Sequence, residues 1–274
     1  MQLSRRTKKH SQLLLCLLAA FLCLSGCAAE TGIAINEATF PDKAFRAYIN
    51  VELDKDGDGF LSPEEIAAVK KLDLSYKSTA ITSLQGIEFF SNLTELDCSR
   101  NQLAALDVSK NTQLKELDCH DNQLTVLDIS KCPNLKHLRC FNNQLTDLAI
   151  GKNINLEILW CYCNQLTALD VSKCVDLKNL QCYDNQITAL DVRKNTKLEV
   201  LICFANQLTA LDVRKNILLE TLNCYDNQLI KLDVSKNTLL ETLLCHENQL
   251  KTLDIRKNVN FTRFMCDDQV VVTE

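Results

Sequence analysis

The chain has 274 residues, 46% of them hydrophobic and 24% charged, with a net charge of −5, six Gly, three Pro and fifteen Cys. A chain of this length can bury a large core without help from disulfides or metals, and its composition excludes collagen-like, linker-like and disordered classes. The acidic balance speaks against nucleic acid as a partner, because such proteins need a basic footprint.

The first segment reads as an export signal, with Arg5, Arg6, Lys8 and Lys9 ahead of an apolar run from Leu13 to Leu24. That run is shorter than the ~20 residues a membrane-spanning helix needs, but it suits the core of a signal peptide. Leu24-Ser25-Gly26-Cys27 resembles the bacterial lipobox. The resemblance implies removal of residues 1–26 and acylation of the Cys27 thiol; an ordinary signal peptide cut elsewhere is the alternative. Acyl chains hold a protein on a membrane, exported and lipid-anchored, at roughly 0.8 kcal/mol per buried CH₂. Loss of residues 1–26 removes four basic and no acidic groups and takes the net charge from −5 to −9, so attraction to anionic lipid is not expected to contribute. Residues 27–38 come next as a tether.

Residues 39–71 form the next unit. Asp54-Lys55-Asp56-Gly57-Asp58-Gly59-Phe60-Leu61-Ser62-Pro63-Glu64-Glu65 fits the twelve-residue loop of an EF-hand, which it resembles at every informative position. Ca²⁺ takes six to eight oxygens, and here Asp54, Asp56 and Asp58, the Phe60 carbonyl, Ser62 and a bidentate Glu65 are the expected donors. Gly59 stands where the loop turns sharply, and Leu61 ties it to a core. Helices are expected on both sides: one starting at Pro41 and running through Phe45 and Tyr48, and an exit helix over Glu64 to Lys71 opened by the capping box Ser62-Pro63-Glu64-Glu65. EF-hands work in pairs and no second loop is present in the sequence. The expected role is therefore a calcium-held clip that caps the remainder of the chain, rather than a switch.

From Leu93 the chain repeats every 21 residues, with new copies opening at Leu114, Leu135, Leu156, Leu177, Leu198, Leu219 and Leu240 and a ninth, starting at Phe261, cut off halfway. Val69 to Leu74 reads as a degenerate first copy. The pattern is L-x-x-L-x-L-x-x-N-x-L with Cys in the third apolar place, the signature of leucine-rich repeats. Over residues 69–274 the chain resembles bacterial surface leucine-rich-repeat proteins, loosely of the internalin type. The resemblance implies an α/β-type repeat solenoid, mostly strand and coil, whose short parallel strands (Glu95 to Ser99 in the first copy) stack into one sheet over a shared core. The recurring Asn101, Asn122, Asn143 and their counterparts are expected to satisfy backbone groups in the turns.

Cysteine recurs once per copy at 98, 119, 140, 161, 182, 203, 224, 245 and 266. Many cysteines in an exported chain suggest a disulfide framework. The regular spacing argues instead for inward-pointing thiols on successive rungs, all oriented alike and ill placed to pair. Cys132 and Cys174 replace a second Asn, two copies apart. Cys163 lies two residues beyond a ladder cysteine and is the candidate reactive thiol.

The column after each ladder cysteine reads Ser99, His120, Phe141, Tyr162, Tyr183, Phe204, Tyr225, His246 and Asp267, and it holds three of the five tyrosines in the chain. The column before it carries Trp160. Five aromatic residues from Phe141 to Tyr225 span roughly 19 Å on the face expected to be concave. With Trp160 they are the candidate ligand-binding strip, for a protein or a carbohydrate; mutual packing is the competing reading. The constant lysines, Lys110 to Lys257, with acids three residues earlier, read as a solvated return face. Of the four histidines His10 lies in the signal, and His120, His137 and His246 lie in separate copies with no acid or nucleophile set at triad-like positions, so no enzyme is expected. The end, Asp267 to Glu274, stops in mid-copy, where either the acids protect an open sheet edge or another chain pairs with it edge to edge. The expected function is a non-enzymatic binding module in adhesion or host contact, with a structural envelope protein or an enzyme inhibitor as alternatives.

Overall fold

The computed structural model describes residues 32–75 and 79–274; the export signal and Cys27 lie outside them. Past a two-residue strand, Ile33–Ala34, the chain makes helix α1, Lys43–Glu52, whose apolar Phe45 and Ile49 are fully buried. The cap of α1 is Asp42, so Pro41 precedes the helix rather than starting it: the Asp42 carboxylate accepts from the amides of Ala44 and Phe45, both at 2.9 Å. Its other oxygen reaches forty residues on, to the amide and hydroxyl of Thr82, both at 2.8 Å. One side chain therefore caps the helix and ties it to the first coil. Burial pushes the Asp42 carboxyl up, but these four donors outweigh it and leave it below its ordinary value.

The second helix, α2, is Pro63–Ala68 with the capping box Ser62/Glu65 formed in both directions. It is shorter than expected because Val69 turns to extended backbone and the chain enters the first strand. Phe40, Phe45 and Phe90 fill the space between these helices and the first coil, with Phe40 edge-on to Phe45 and to Phe89. Gly86 has φ +104, and a Cβ there would strike the Phe40 ring, so backbone and packing both require glycine.

From Lys71 the chain winds. The strands are β1 (Lys71–Asp73), β2 (Glu95–Asp97), β3 (Glu116–Asp118), β4 (His137–Arg139), β5 (Ile158–Trp160), β6 (Asn179–Gln181), β7 (Val200–Ile202), β8 (Thr221–Asn223), β9 (Thr242–Leu244), β10 (Thr252–Asp254), β11 (Arg263–Met265) and β12 (Val271–Thr273). All but β10 and β12 lie in one ten-stranded parallel sheet in chain order. Register obeys the repeat: Leu96 pairs with Leu117, and Leu222 with Leu243. Each strand is three residues, shorter than the expected five. Cys98 still donates to Asp118 across the sheet at 2.8 Å, but the Ser99 amide turns to the Asp97 carboxylate at 3.0 Å, and coil-to-coil bonding resumes only at Arg100, which donates to the His120 carbonyl at 2.9 Å from positive φ. Leu219, Leu222, Cys224, Leu229 and Val234 of one coil are all at 0% exposure, as are Leu198, Leu201, Cys203, Leu208 and Val213 of the coil before it, so the core is continuous and no coil closes alone.

Two asparagine columns hold successive coils together. Asn122 donates to the carbonyls of Cys98, Cys119 and His120 at 3.0–3.2 Å and accepts from the Leu103 amide at 2.9 Å. This grip offsets a residue with positive φ in every coil, among them Arg100, Cys163, Ala205 and Glu247 at 49–56°. The second column works by half. Asn216 donates to Val192 and Asn195 at 2.9 and 2.8 Å, but its buried Oδ1 accepts nothing among the described residues. Cys132 and Cys174 occupy this same column, their thiols directed at the same kind of carbonyl pair at 3.6–4.0 Å.

The chain end is better closed than its sequence suggests. Inside the solenoid the Asp226 and Asn227 amides donate to carbonyls of the next coil. In the last coil the Asp267 carboxylate takes their place, accepting from Glu247 at 2.7 Å and Asn248 at 3.3 Å. Val270 is buried and β12 pairs with β10 on the return arm. The outer edge of β11 has no partner among the described residues, and Phe261, Phe264 and Cys266, which occupy core columns, are half-exposed there. The residues from Ala34 on form one compact unit.

Candidate functional site

Side chains leave the sheet in two columns on either side of the buried central leucines, and a third column comes just after the ladder cysteines. Parallel pairing in register places the third column's rings directly over one another. Phe141, Tyr162, Tyr183, Phe204 and Tyr225 stack with centroids 4.2–4.5 Å apart and planes within 14°. His120 joins at one end at 4.3 Å and His246 at the other at 4.6 Å, making seven rings in a row. Each inner ring has a neighbour on both faces, so only edges reach solvent. Stacking of a sugar on a ring face is therefore closed to the inner five, and burial pushes the Tyr162 and Tyr183 phenols up. The geometry gives this column a packing role and leaves its edges as a contact line.

Trp160 stands apart from the stack, on β5. Its ring is tilted by 49° and lies 6.4 Å from Phe141, the Arg139 guanidinium sits 4.9 Å above it, and its indole N–H donates to Asn179 at 3.1 Å. The first outward column, which the repeat signature does not single out, runs Lys71, Glu95, Glu116, His137, Ile158, Asn179, Val200 and Thr221. Together the two columns make a sheet face that is charged over β1–β4 and apolar at Ile158, Trp160, Val200 and Ile202. Alternation at positions i and i+2 of each strand is the sequence signal that marks it.

The calcium-type loop has the expected turns, with Gly59 at φ +83 and also Gly57 at +73. Asp54, Asp56 and Asp58 bring carboxylate oxygens within 4.8 Å of one another. The Asp58 amide lowers Asp56, but desolvation and the neighbouring carboxylates of Asp58 and Glu65 outweigh it and hold the group above its ordinary value. Converging hard oxygens that repel one another are what a divalent cation relieves, so the donor set fits Ca²⁺. Phe60 and Ser62 come next on a short extended segment at the loop's end. Glu65 instead receives the Lys55 amide at 2.6 Å and the Ser62 amide and hydroxyl at 2.9 Å, bonds that lower its carboxyl.

All twelve described cysteines are free thiols, and Cys98 to Cys245 of the ladder are buried. Burial pushes Cys182 and Cys245 up to about 12 and Cys132 and Cys174 to about 11. Cys163, expected to be the reactive thiol, is corrected by its surroundings: partial burial and the Asp184 carboxylate, 3.3 Å from its sulfur, push it up to about 11 and disfavour the thiolate. His120 does have an acid beside it, contrary to expectation, with Asp118 at 2.5 Å; its other nitrogen faces Asp121 at 3.8 Å rather than a hydroxyl or thiol. On the return arm Arg193, Arg214 and Arg256 clasp Asp191, Asp212 and Asp254 and lower each carboxyl to about 2.

Among known proteins, a family model described as leucine-rich repeats in two copies matches residues 112–153 and 134–174. Internalin J of Listeria monocytogenes is 38% identical over 73 residues, which is 27% of this chain and 8% of that protein. The solved functional domain of InlJ from the same species, described as including a cysteine ladder, aligns with TM-score 0.63 and 29% identity over 88% of this chain and 63% of its own. A leucine-rich-repeat protein of Leptospira interrogans aligns with TM-score 0.69 and 29% identity over 77% and 57%. The ectodomain of the Arabidopsis thaliana receptor kinase GASSHO1/SCHENGEN3, solved in complex with CASPARIAN STRIP INTEGRITY FACTOR 2, aligns with TM-score 0.60 and 25% identity over 65% and 24%. The chain thus spans under two thirds of the bacterial domain and a small part of the full-length relative. Repeat signature, thiol ladder and stacked parallel coils agree with these likenesses: the fold is a leucine-rich-repeat solenoid, and it is similar to the internalin-type repeat domains of bacteria.

Proposed function

We propose that the protein is an exported, lipid-anchored, non-enzymatic module that binds a protein partner across the outer face of its sheet. The observation that carries this reading is the set of half-exposed apolar side chains Ile158 and Trp160 on β5 and Val200 and Ile202 on β7, flanking Asn179 and Gln181 of β6 on one sheet face, in a chain whose return arms are lined by solvated charges. Large side chains on a preformed surface bind at low entropic cost, and Trp is a frequent anchor. The plant receptor, solved in complex with CASPARIAN STRIP INTEGRITY FACTOR 2, supplies a parallel for a repeat ectodomain that takes a partner. Trp160→Ser combined with Ile202→Ser is the test: loss of partner capture from cell-surface extracts with unchanged melting supports the reading, and undiminished capture removes it.

Anchoring through acylated Cys27 and calcium binding by Asp54, Asp56, Asp58, the Phe60 carbonyl, Ser62 and Glu65 belong to the same proposal. In it, Ca²⁺ stiffens the N-terminal cap and draws Glu65 partly away from its present amide partners. Intact mass of the membrane-extracted protein reads the lipid, and calorimetric titration of the soluble protein reads the ion. The stacked rings also favour a second reading in which that column serves packing alone, while the Trp160 columns serve recognition.

A further inference from the structure

The two halves of the sheet face differ in charge, and the difference names a kind of partner. Over β1–β4 a groove of about 280 Å³ is walled by five carboxylates between Asp73 and Asp118 against two cations, Lys71 and Arg139. Lys71 is paired with Glu95 at 2.7 Å and Arg139 lies 3.7 Å from Asp118, which leaves the groove a net negative field. From β5 to β9 the same columns carry no charge: they present apolar Ile158 and Trp160 on β5 and Val200 and Ile202 on β7, with Asn179 and Gln181 of β6 between them. The charged and apolar halves meet at Trp160, whose ring already carries a cation, Arg139, over its face. We infer that the occupant of this face is an extended polypeptide segment lying across the strands, with lysine or arginine at the end over β1–β3 and apolar side chains at the end over β5–β7. This rests on the sheet face being the binding face, and it adds the chemistry and polarity of the ligand.

Strand geometry sets the spacing. From β2 to β5 is three strand steps, about 14 Å, which an extended chain covers in about four residues. A cationic side chain over Glu95 thus places an apolar one, some four residues on, against Trp160. Opposite charge raises the encounter rate and fixes direction, while the apolar half supplies burial.

Trp160 is the only tryptophan in the chain and sits at the seam, so its emission reports occupancy directly. The probes are synthetic decapeptides: one opening with three lysines and closing with Leu-Phe-Leu, the same peptide with glutamates for the lysines, and a neutral oligosaccharide. The lysine peptide is expected to shift Trp160 emission saturably, to bind at least about tenfold more weakly to the Glu95→Gln/Glu116→Gln variant, and to weaken again in about 0.5 M salt. The variant's melting temperature and unliganded emission check that its fold is intact. The inference is overturned if the glutamate peptide or the oligosaccharide binds as well, if the double variant binds unchanged, or if no peptide moves the emission. In those cases the sheet-face reading stands or falls separately, on the Trp160/Ile202 capture experiment.

Discussion

At the scale of single residues, the two asparagine columns look alike in sequence and differ in energy. Asn206 donates to Cys182, Cys203 and Phe204 and accepts from the Ile187 amide, so every polar atom of its amide is used. Asn206→Ala is expected to cost about 2–4 kcal/mol by stranding buried backbone groups, read by denaturant titration. Asn216→Cys, in the half-satisfied column, should change stability by about 1 kcal/mol or less, since it removes an orphaned acceptor and copies what Cys132 and Cys174 already do. Equal losses in the two variants would refute the distinction. The repeat period made both columns visible; which lone pair lacks a partner depends on the depth to which the neighbouring turn covers it.

Among elements, the ring stack is the clearest case of a sequence pattern whose meaning lies in geometry. Replacing Tyr162, Tyr183 and Tyr225 together with Ser removes contacts that contribute roughly 0.5–1.5 kcal/mol each. A large fall in melting temperature is therefore expected even where ligand capture by the Trp160 columns survives in the folded fraction. Unchanged melting would mean that the rings pack without stabilising. At the N-terminal cap, Gly86→Ala should destabilise by more than about 2 kcal/mol in thermal melts, because positive φ and the Phe40 ring act together. The helix-strand boundary there is ambiguous in sequence because Val69 to Leu74 carries both a helical run-out and the first repeat, and pairing of Lys71–Asp73 with Glu95–Asp97 decides in favour of the strand.

For the whole molecule, the stacked thiols make stability depend on alkali. Cys98, Cys119, Cys140, Cys161, Cys182, Cys203 and Cys224 are at 0% exposure and burial raises every one of them. A group raised in the folded state binds protons there that the unfolded chain releases, so stability is complete below the unfolded thiol value of about 8.5 and falls as pH rises towards the folded values. By one unit above 8.5 the loss is about 1.4 kcal/mol per thiol, or roughly 10 kcal/mol for seven, comparable with the whole stability of a domain. Unfolding monitored by circular dichroism in reducing buffer should therefore set in between about pH 9 and 10. Cys161→Ala with Cys182→Ala should shallow the pH slope of the melting temperature; a flat melting temperature through that range would show the thiols to be accessible. Calcium acts at the same scale: if the ion holds the cap, chelator lowers the melting temperature of the entire solenoid, whose coils are stable only through their neighbours.

Periodicity by itself determined the repeat class, the number of coils, the inward thiols and the loop acids at Asp54, Asp56 and Asp58, because each is a matter of which residue type recurs at which interval. Tertiary structure alone decided that seven rings close on one another's faces, that Cys163 is quenched by Asp184, that Asp267 caps the last coil, and that the Glu95-to-Val200 column completes the outer face. The reason is physical: a repeat specifies direction, inward or outward, whereas burial, partner and charge arise between coils 21 residues apart, at distances that only the stacked chain creates.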